Sequence, residues 1–210
     1  MFTCKCPAAT SLTSIPAVTC AESFGQIQKV AFQRLTSNGT KNSFTNATPI
    51  GTLASWSSLL TAADSTKIVV SPFIQAPTNE PGAARTFGGG NETLNGEEEI
   101  IGREPSTFTA VLRRIPQSVI KVMKELQCEA QSHNLGVYLF DENGNIEAIQ
   151  DETTPTTYYP IPISSLFISD KGHGGLEAPD SNNIQWSFGP NYSDNLAIVT
   201  PSDFNPLTDL

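Results

Sequence analysis

Cysteine and histidine offer the most versatile chemistry in this chain, so their spacing is considered first. Three of the four cysteines crowd the N-terminus, at Cys4, Cys6 and Cys20, and the fourth is Cys128. One residue separates Cys4 from Cys6, whereas zinc knuckles and thioredoxin-like sites use a two-residue gap. Neither histidine, His133 or His173, is near that pair in sequence. We expect reduced structural thiols, with a metal site or a disulfide as the alternatives.

Oxygen ligands recur at alternate positions in one segment, Asp141, Asn143 and Asn145. Calcium loops of the EF-hand type also alternate their ligands, but they end in a glutamate and lie between helices. The residues on both sides here have the alternation of strands. Asn143 and Gly144 tolerate the positive φ angles of a tight turn. The segment therefore predicts a hairpin turn, with a metal site as the alternative.

Three consecutive glycines and three consecutive glutamates lie close together, at residues 88–90 and 97–99. The glycines lack both the Gly-Lys-Ser/Thr ending of a P-loop and the dinucleotide-binding spacing, so they predict a mobile loop rather than a phosphate cradle. Adjacent side chains of an extended segment point in opposite directions, so the glutamates predict a solvated acidic patch rather than an acid–base pair. No Ser-His-Asp order occurs either. We expect no enzymatic activity, no cofactor and no metal.

Charge and composition limit the classes of partner. The net charge is −9 and only 16% of the 210 residues are charged, whereas binding to a nucleic-acid backbone needs clustered lysine and arginine. No apolar run is long enough to span a membrane, and the N-terminus lacks the pattern of a secretory signal. We therefore expect no specific DNA binding and no membrane partner. The 15 glycines, 15 prolines and 11 phenylalanines favour a β-rich fold with long loops.

One amphipathic helix is predicted over residues 116–131. Its apolar face carries Val119, Ile120, Met123 and Leu126 at helical spacing. Pro116 suits the first turn, because its missing N–H is not needed there. The apolar stripe is narrow, so we expect the helix to lie on one face of a sheet with Met123 and Leu126 in the core.

Strands account for most of the remaining regular structure. Residues 135–141 are apolar on both faces, which predicts a strand that is covered on both sides and continues as a hairpin to residue 150. Residues 26–35 have one apolar face and predict a half-buried strand. Pro162 weakens the strand at residues 161–169 and predicts an edge or a bulge. Further strands are predicted at residues 67–71, 107–114, 184–188 and 195–200, and a short helix at residues 52–63.

These elements predict a mainly β fold, a β-sandwich or barrel with one flanking α-helix (about residues 116–131) and long loops. We expect a single domain over residues 24–200, an N-terminal arm at residues 1–23 and a C-terminal tail at residues 201–210, laid along a surface. Residues 72–95 have no apolar period and predict a loop without structure of its own. A loop of that length is usually functional or a linker, and a neighbouring subunit can order it.

The organisation resembles the tail-tube proteins of long-tailed bacteriophages. The features that carry the resemblance are an early strand, a long glycine-rich loop at residues 85–97, and the strand, helix and hairpin at residues 107–114, 116–131 and 135–150. The resemblance implies a β-sandwich or barrel subunit that forms hexameric rings. In that family the rings stack around a channel for DNA, and a long loop and terminal arms bind the next ring.

The implied function is that of a virion structural protein, a tail-tube subunit that assembles with itself and with other virion proteins. DNA would pass through the channel without specific binding, and the virion would be assembled in the cytoplasm of the bacterial host. A capsid decoration or head–tail connector protein is one alternative. A soluble β-sandwich module that binds a ligand is the alternative from another class.

The glycine-rich loop is the predicted subunit contact. Aromatic and arginine side chains are common interface anchors, and consecutive glycines let a loop adapt its path to a neighbour. The acidic run would pair with arginines of an adjacent subunit. The predicted contact residues are Arg85, Phe87, Gly88, Gly89, Gly90, Glu97, Glu98 and Glu99.

Overall fold

The structure is a computed structural model that describes residues 14–18 and 23–210. Its compact units are Met1–Ser23 with Gly82–Glu104, and Phe24–Pro81 with Pro105–Leu210. Most of the predicted arm, with Cys4, Cys6 and Cys20, lies outside the described residues. No helix in the described part of the chain is long and apolar enough to cross a membrane.

The chain is mainly β, as predicted. The strands are β1 (Ile27–Arg34), β2 (Thr36–Ser37), β3 (Thr40–Lys41), β4 (Ile68–Val70), β5 (Gln75–Glu80), β6 (Ala84–Gly88), β7 (Glu98–Arg103), β8 (Ser106–Arg113), β9 (Leu135–Asp141), β10 (Ile146–Gln150), β11 (Tyr158–Tyr159), β12 (Ile161–Ile168), β13 (Ser181–Phe188) and β14 (Leu196–Val199). The helices are α1 (Leu53–Leu60), α2 (Gln117–Gln131) and α3 (Pro206–Asp209). A short 3₁₀ turn covers Leu94–Gly96.

Strand β9 is the centre of the larger unit, and every one of its residues is buried. It pairs antiparallel with β1 on one side. On the other side its first half pairs with β12 and its second half with β10. The sheet continues from β12 through β13 and β8 to β5, while β10 also pairs with β11 and β14. The pairing among described strands does not close into a complete barrel.

Side chains of β1 and β9 alternate between two hydrophobic clusters. Phe32 and Leu139 belong to the first cluster, which α2 covers. Tyr138 and Phe140 belong to the second, where they pack edge-on against Trp56 of α1. The prediction that β9 is covered on both faces is therefore confirmed. The same two clusters bury both faces of β1, so the prediction of a half-buried strand there was wrong.

Helix α2 flanks the sheet as predicted and begins after Pro116, its N-cap residue. Ile120 and Met123 are buried in the first cluster. Leu126 is partly buried, and Val119 is exposed over 37% of its surface. The predicted apolar stripe is therefore buried along its centre and open to solvent along one edge.

The prediction of an unstructured loop over residues 72–95 was wrong, because β5 and β6 lie within it. Strand β5 is at the end of the sheet, and its side chains are mostly exposed. It is held by backbone pairing with β8, in which Thr78 lies opposite Thr109. Backbone pairing leaves no apolar period in the sequence, because most side chains of such an edge strand face water.

Strand β12 contains the bulge that Pro162 suggested, but it is not an edge strand. Its register with β13 shifts between Ser164 and Phe167, and Ser165 has a positive φ of 53°. It has partners on both sides, β9 and β13. Pro162 lies opposite Gly136 of β9, near the start of the strand.

The C-terminal tail packs on the second cluster through Phe204, Leu207 and Leu210. Lys29 of β1 donates from Nζ to the carbonyl oxygen of Leu207 at 3.2 Å and to an oxygen of Leu210 at 2.5 Å. Burial lowers the pKa of Lys29. The tail thus adds buried apolar contacts to the larger unit and satisfies a buried lysine.

The segment from Asp141 to Asn145 is a turn in which the Asp141 carboxylate accepts several hydrogen bonds. Its donors are the backbone N–H groups of Gly25 at 3.1 Å, Asn143 at 2.9 Å and Asn145 at 2.7 Å, and the side-chain amide of Asn145 at 2.9 Å. Burial alone would raise the pKa of Asp141, but these hydrogen bonds outweigh it and lower the pKa. No group of three metal-ligating side chains occurs among the described residues.

Candidate subunit-contact hairpin

Strands β6 and β7 form an antiparallel hairpin within residues 82–104. Arg85 lies opposite Gly102 and Thr86 lies opposite Ile100, so Ile101 is an extra residue in β7. A bulge of this kind bends the strand and strengthens its twist. At the open end, the backbone N–H of Glu104 donates to the carbonyl oxygen of residue 83 at 2.8 Å.

The tip of the hairpin is a defined turn organised by Thr93. The Thr93 hydroxyl accepts from the backbone N–H of Gly89 at 3.1 Å and donates to the carbonyl oxygen of Glu97. Gly88 has a φ of 94°, and a Cβ added there would lie 2.0 Å from Cγ2 of Thr93. Glycine is therefore required at Gly88 by both backbone conformation and space. Gly88 ends β6, and Gly89 and Gly90 lie in the loop at the tip, where these hydrogen bonds define the turn. The mobility of this loop stays a prediction.

None of residues 82–104 is buried, although the hairpin is rich in large apolar side chains. Phe87 is exposed over 54% of its surface, Leu94 over 86%, Ile100 over 61% and Ile101 over 56%. Single exposed apolar residues are normal on a protein surface, whereas a group of them on one short element is typical of an interaction site.

The hairpin is acidic. Residues 82–104 contain five glutamates and two arginines, which gives a net charge of −3. The Arg85 guanidinium Nε lies 3.8 Å from a carboxylate oxygen of Glu104, and both side chains are more than half exposed. An exposed pair of this kind contributes little to stability. The glutamates of the hairpin are all exposed, so they form a solvated acidic patch.

The structure brings all eight predicted contact residues onto this one hairpin. Phe87 lies directly opposite Glu99, and Gly88 lies directly opposite Glu98. Glu98 and Glu99 are neighbours in β7 and therefore point to opposite faces, as the sequence predicts. Glu97 ends the 3₁₀ turn. The role of these residues in subunit contact stays a prediction; the list is Arg85, Phe87, Gly88, Gly89, Gly90, Glu97, Glu98 and Glu99.

Three apolar residues of the hairpin are missing from the predicted set, namely Leu94, Ile100 and Ile101. The sequence does contain a signal for the two isoleucines. Adjacent residues of a strand face opposite sides, so two consecutive isoleucines in a thin hairpin leave one exposed on each face unless a partner covers it. Leu94 has no such signal, because its exposure depends on the conformation of the tip.

Comparison with known proteins finds distant structural similarity to two solved chains and identifies no family. No family model matches the chain, and no curated protein matches it in sequence. Among solved structures, a chain from the tail of an empty GTA particle, computed with helical refinement and C6 symmetry, is similar with 10% identity and a TM-score of 0.32. The match covers 63% of this chain and 88% of that one.

A second similar chain comes from the six-fold symmetrised baseplate of the anti-feeding prophage. Its identity is 10% and its TM-score is 0.34, and the match covers 90% of this chain and 99% of that one. At these values the two likenesses do not establish what the chain does.

Proposed function

We propose that this chain is a structural subunit of a phage virion, specifically a tail-tube subunit that assembles into stacked rings around a channel for DNA. It would have no catalytic activity, and each ring would contain six copies. The observation that carries the proposal is the hairpin of residues 82–104, which has four large exposed apolar side chains and no buried residue. In an assembled particle a neighbouring copy would cover these side chains.

The interaction would be mainly apolar, with charge setting its orientation. Burying apolar surface contributes about 25 cal/mol per Å², so Phe87 and the two isoleucines of β7 would provide the anchors. The carboxylates at the rim would favour a neighbour that presents arginine or lysine, and exposed arginines are available in this chain at Arg113 and Arg114. A heterologous contact of this kind generates rings or stacks when it is repeated.

The test compares two exposed phenylalanines. Phe87 is exposed over 54% of its surface and Phe167 of β12 over 50%, so Phe87→Ser and Phe167→Ser remove similar exposed groups from the hairpin and from the sheet. Negative-stain electron microscopy and sedimentation would measure rings and tubes, and thermal melting would measure folding. We expect Phe87→Ser to fold normally and to shift the equilibrium towards monomer by about tenfold or more, with Phe167→Ser close to the parent protein.

A deletion of residues 87–91 extends the test, because it removes the aromatic anchor and the reach of the loop together. If the parent protein stays a compact monomer at all accessible concentrations, the tail-tube proposal is refuted and the ligand-binding module is favoured. Closed shells or decorated capsids would favour the decoration protein. If Phe87→Ser and Phe167→Ser reduce assembly equally, the hairpin has no special role in assembly.

The proposal also requires that DNA passes without adhering. With a net charge of −9, we expect no measurable binding to duplex DNA at physiological salt in a gel-shift assay. Micromolar binding that weakens as salt rises would refute the channel as described.

A further inference from the structure

Asparagine followed by glycine is a chemically reactive pair, and the sequence contains it at residues 38–39, 95–96 and 143–144. The backbone nitrogen of the glycine attacks the side-chain carbonyl carbon of the asparagine, since no Cβ on the glycine hinders the approach. The new C–N bond closes a succinimide ring, and the side-chain nitrogen leaves as ammonia. Water then opens the ring to aspartate or to isoaspartate. The amide and one water thus become a carboxylic acid and ammonia.

The attack needs an accessible glycine nitrogen in a turn that can open. A glycine N–H that donates to a backbone carbonyl must first lose that bond, and the free energy of such local openings differs widely across one structure. Groups packed against the glycine hinder ring closure as well. The three pairs therefore differ in reactivity according to the hydrogen bond of the glycine N–H and the space around the glycine.

The pair at residues 143–144 is held firmly in the turn between β9 and β10. The backbone N–H of Gly144 donates to the carbonyl oxygen of Asp141 at 3.0 Å, and that of Asn143 donates to the Asp141 carboxylate at 2.9 Å. Gly144 is buried, and a Cβ added there would lie 3.0 Å from Oδ1 of Asn205. This pair is protected by both hydrogen bonding and packing.

The pair at residues 95–96 lies at the tip of the β6–β7 hairpin. The backbone N–H of Gly96 donates to the carbonyl oxygen of Thr93 at 3.1 Å. A Cβ added at Gly96 would lie 3.1 Å from the carbonyl oxygen of Gly90, so the chain is close on that side. Asn95 is exposed, but the nitrogen that would attack it is engaged.

The pair at residues 38–39 has neither form of protection. It forms the exposed turn between β2 and β3, where Ser37 lies opposite Thr40. Among the turn hydrogen bonds of the described residues, none involves the N–H of Gly39, and no atom lies within 4 Å of a Cβ added there. Asn38 has a φ of 51°, so ring closure requires the turn to open. A ladder of two-residue strands has little stability of its own, so this opening is easy.

We propose that Asn38 is a site of self-modification, at which ring closure through Gly39 converts the asparagine to aspartate or isoaspartate. The folded turns protect Asn95 and Asn143, although their sequence signal is the same. The product has one more negative charge. In isoaspartate the main chain runs through the side-chain carbon, which lengthens the turn and disrupts the pairing of Ser37 with Thr40. The reaction needs no second copy, so it is independent of the tail-tube proposal.

The test follows all three pairs in the full chain during incubation at mildly alkaline pH. Peptide mass spectrometry measures the conversion of each asparagine in the folded chain and in the chain unfolded by guanidinium chloride. The ratio of the unfolded rate to the folded rate is the protection at that site. We expect a protection below about threefold for Asn38 and of about tenfold or more for Asn95 and Asn143.

Two results of this measurement would overturn the proposal. One is a protection at Asn38 that equals or exceeds that at Asn143. The other is a folded chain in which Asn38 stays intact while the unfolded chain converts.

A pair of variants tests the route of the reaction. Gly39→Asp keeps a residue that tolerates positive φ and has open space for its side chain, but this side chain crowds the attacking nitrogen. We expect conversion at Asn38 to slow about fivefold or more. Thr40→Asp adds the same charge one residue later and should leave the rate unchanged. Thermal melting checks that both variants fold, and conversion as fast in Gly39→Asp as in the parent protein would contradict ring closure at this site.

Discussion

Replacing Asp141 by alanine tests whether one buried carboxylate holds the start of the larger unit against its central hairpin. The side chain is fully buried and accepts four hydrogen bonds of 2.7–3.1 Å, from Gly25, Asn143 and Asn145. A buried donor left without an acceptor costs about 1–3 kcal/mol. If water reaches two of the four donors, the substitution should lower the free energy of unfolding by about 2–6 kcal/mol.

The matched control is Asp64→Ala. Asp64 is exposed and accepts from the backbone N–H of Thr66 at 2.9 Å, so it makes a local turn contact without burial. We expect a much smaller loss than for Asp141→Ala, because water can replace the carboxylate at this exposed turn. Urea unfolding at neutral pH measures both variants. A loss below about 1 kcal/mol for Asp141→Ala, or equal losses in the two variants, would refute the assignment.

The pH dependence gives a second measurement of the same site. Burial would raise the pKa of Asp141, and the hydrogen bonds from Asn145, Gly25 and Asn143 lower it overall. A carboxylate whose folded pKa is lowered contributes stability above its unfolded pKa of about 3.9, and that contribution is lost as pH falls through the folded pKa. The stability difference between the parent and Asp141→Asn should therefore be largest near neutral pH and shrink below about pH 4. A difference that stays constant down to about pH 2 would contradict this account.

Three further substitutions test the core and the hairpin tip. Met123→Ala should cost about 2–5 kcal/mol in urea unfolding, because the side chain is buried under α2; an unchanged midpoint would mean that this helix face is not packed. Tyr138→Phe removes a buried hydroxyl that donates to Gln33 at 3.0 Å and should cost about 1–2 kcal/mol, and an equally stable variant would show that this bond contributes nothing. Gly88→Ala should break the hydrogen bonds of Thr93 at the tip, measured as faster amide exchange at residue 89, and unchanged exchange there would contradict the tip geometry.

Elements with a one-sided or two-sided apolar pattern were predictable from the sequence. Helix α2 has an apolar stripe because one face covers the first cluster, and β9 is apolar on both faces because two clusters meet across it. Strand β5 was not predictable, because its side chains mostly face water and its stability comes from backbone pairing with β8. Backbone hydrogen bonds do not depend on side-chain type, so they leave little record in the sequence.

The candidate site was predictable in part for a similar reason. Its eight residues are close in sequence, so a local argument places them on one loop. The bulge at Ile101 and the exposure of Leu94 depend on strand register and on the fold of the tip, which local patterns do not specify. The apolar groove between α2 and β4 could not be predicted from the sequence. Its lining residues Phe32, Val69 and Val122 come from three separate segments and meet only in the tertiary structure.

The pairing of β1 with β9 has a consequence for how the protein is made. Residue Arg34 ends β1 and lies opposite Leu135, so one strand is complete long before its main partner is synthesised. At about 5–20 residues per second, a ribosome takes on the order of 5–20 s to add the intervening chain. During that time Val30 and Phe32 have only the short β4 to pair with, and their apolar surface is open to chaperones or to other nascent chains. The larger unit can therefore fold cooperatively only after the central hairpin has left the ribosome. Its folding is late and depends on contacts between residues that are far apart in sequence.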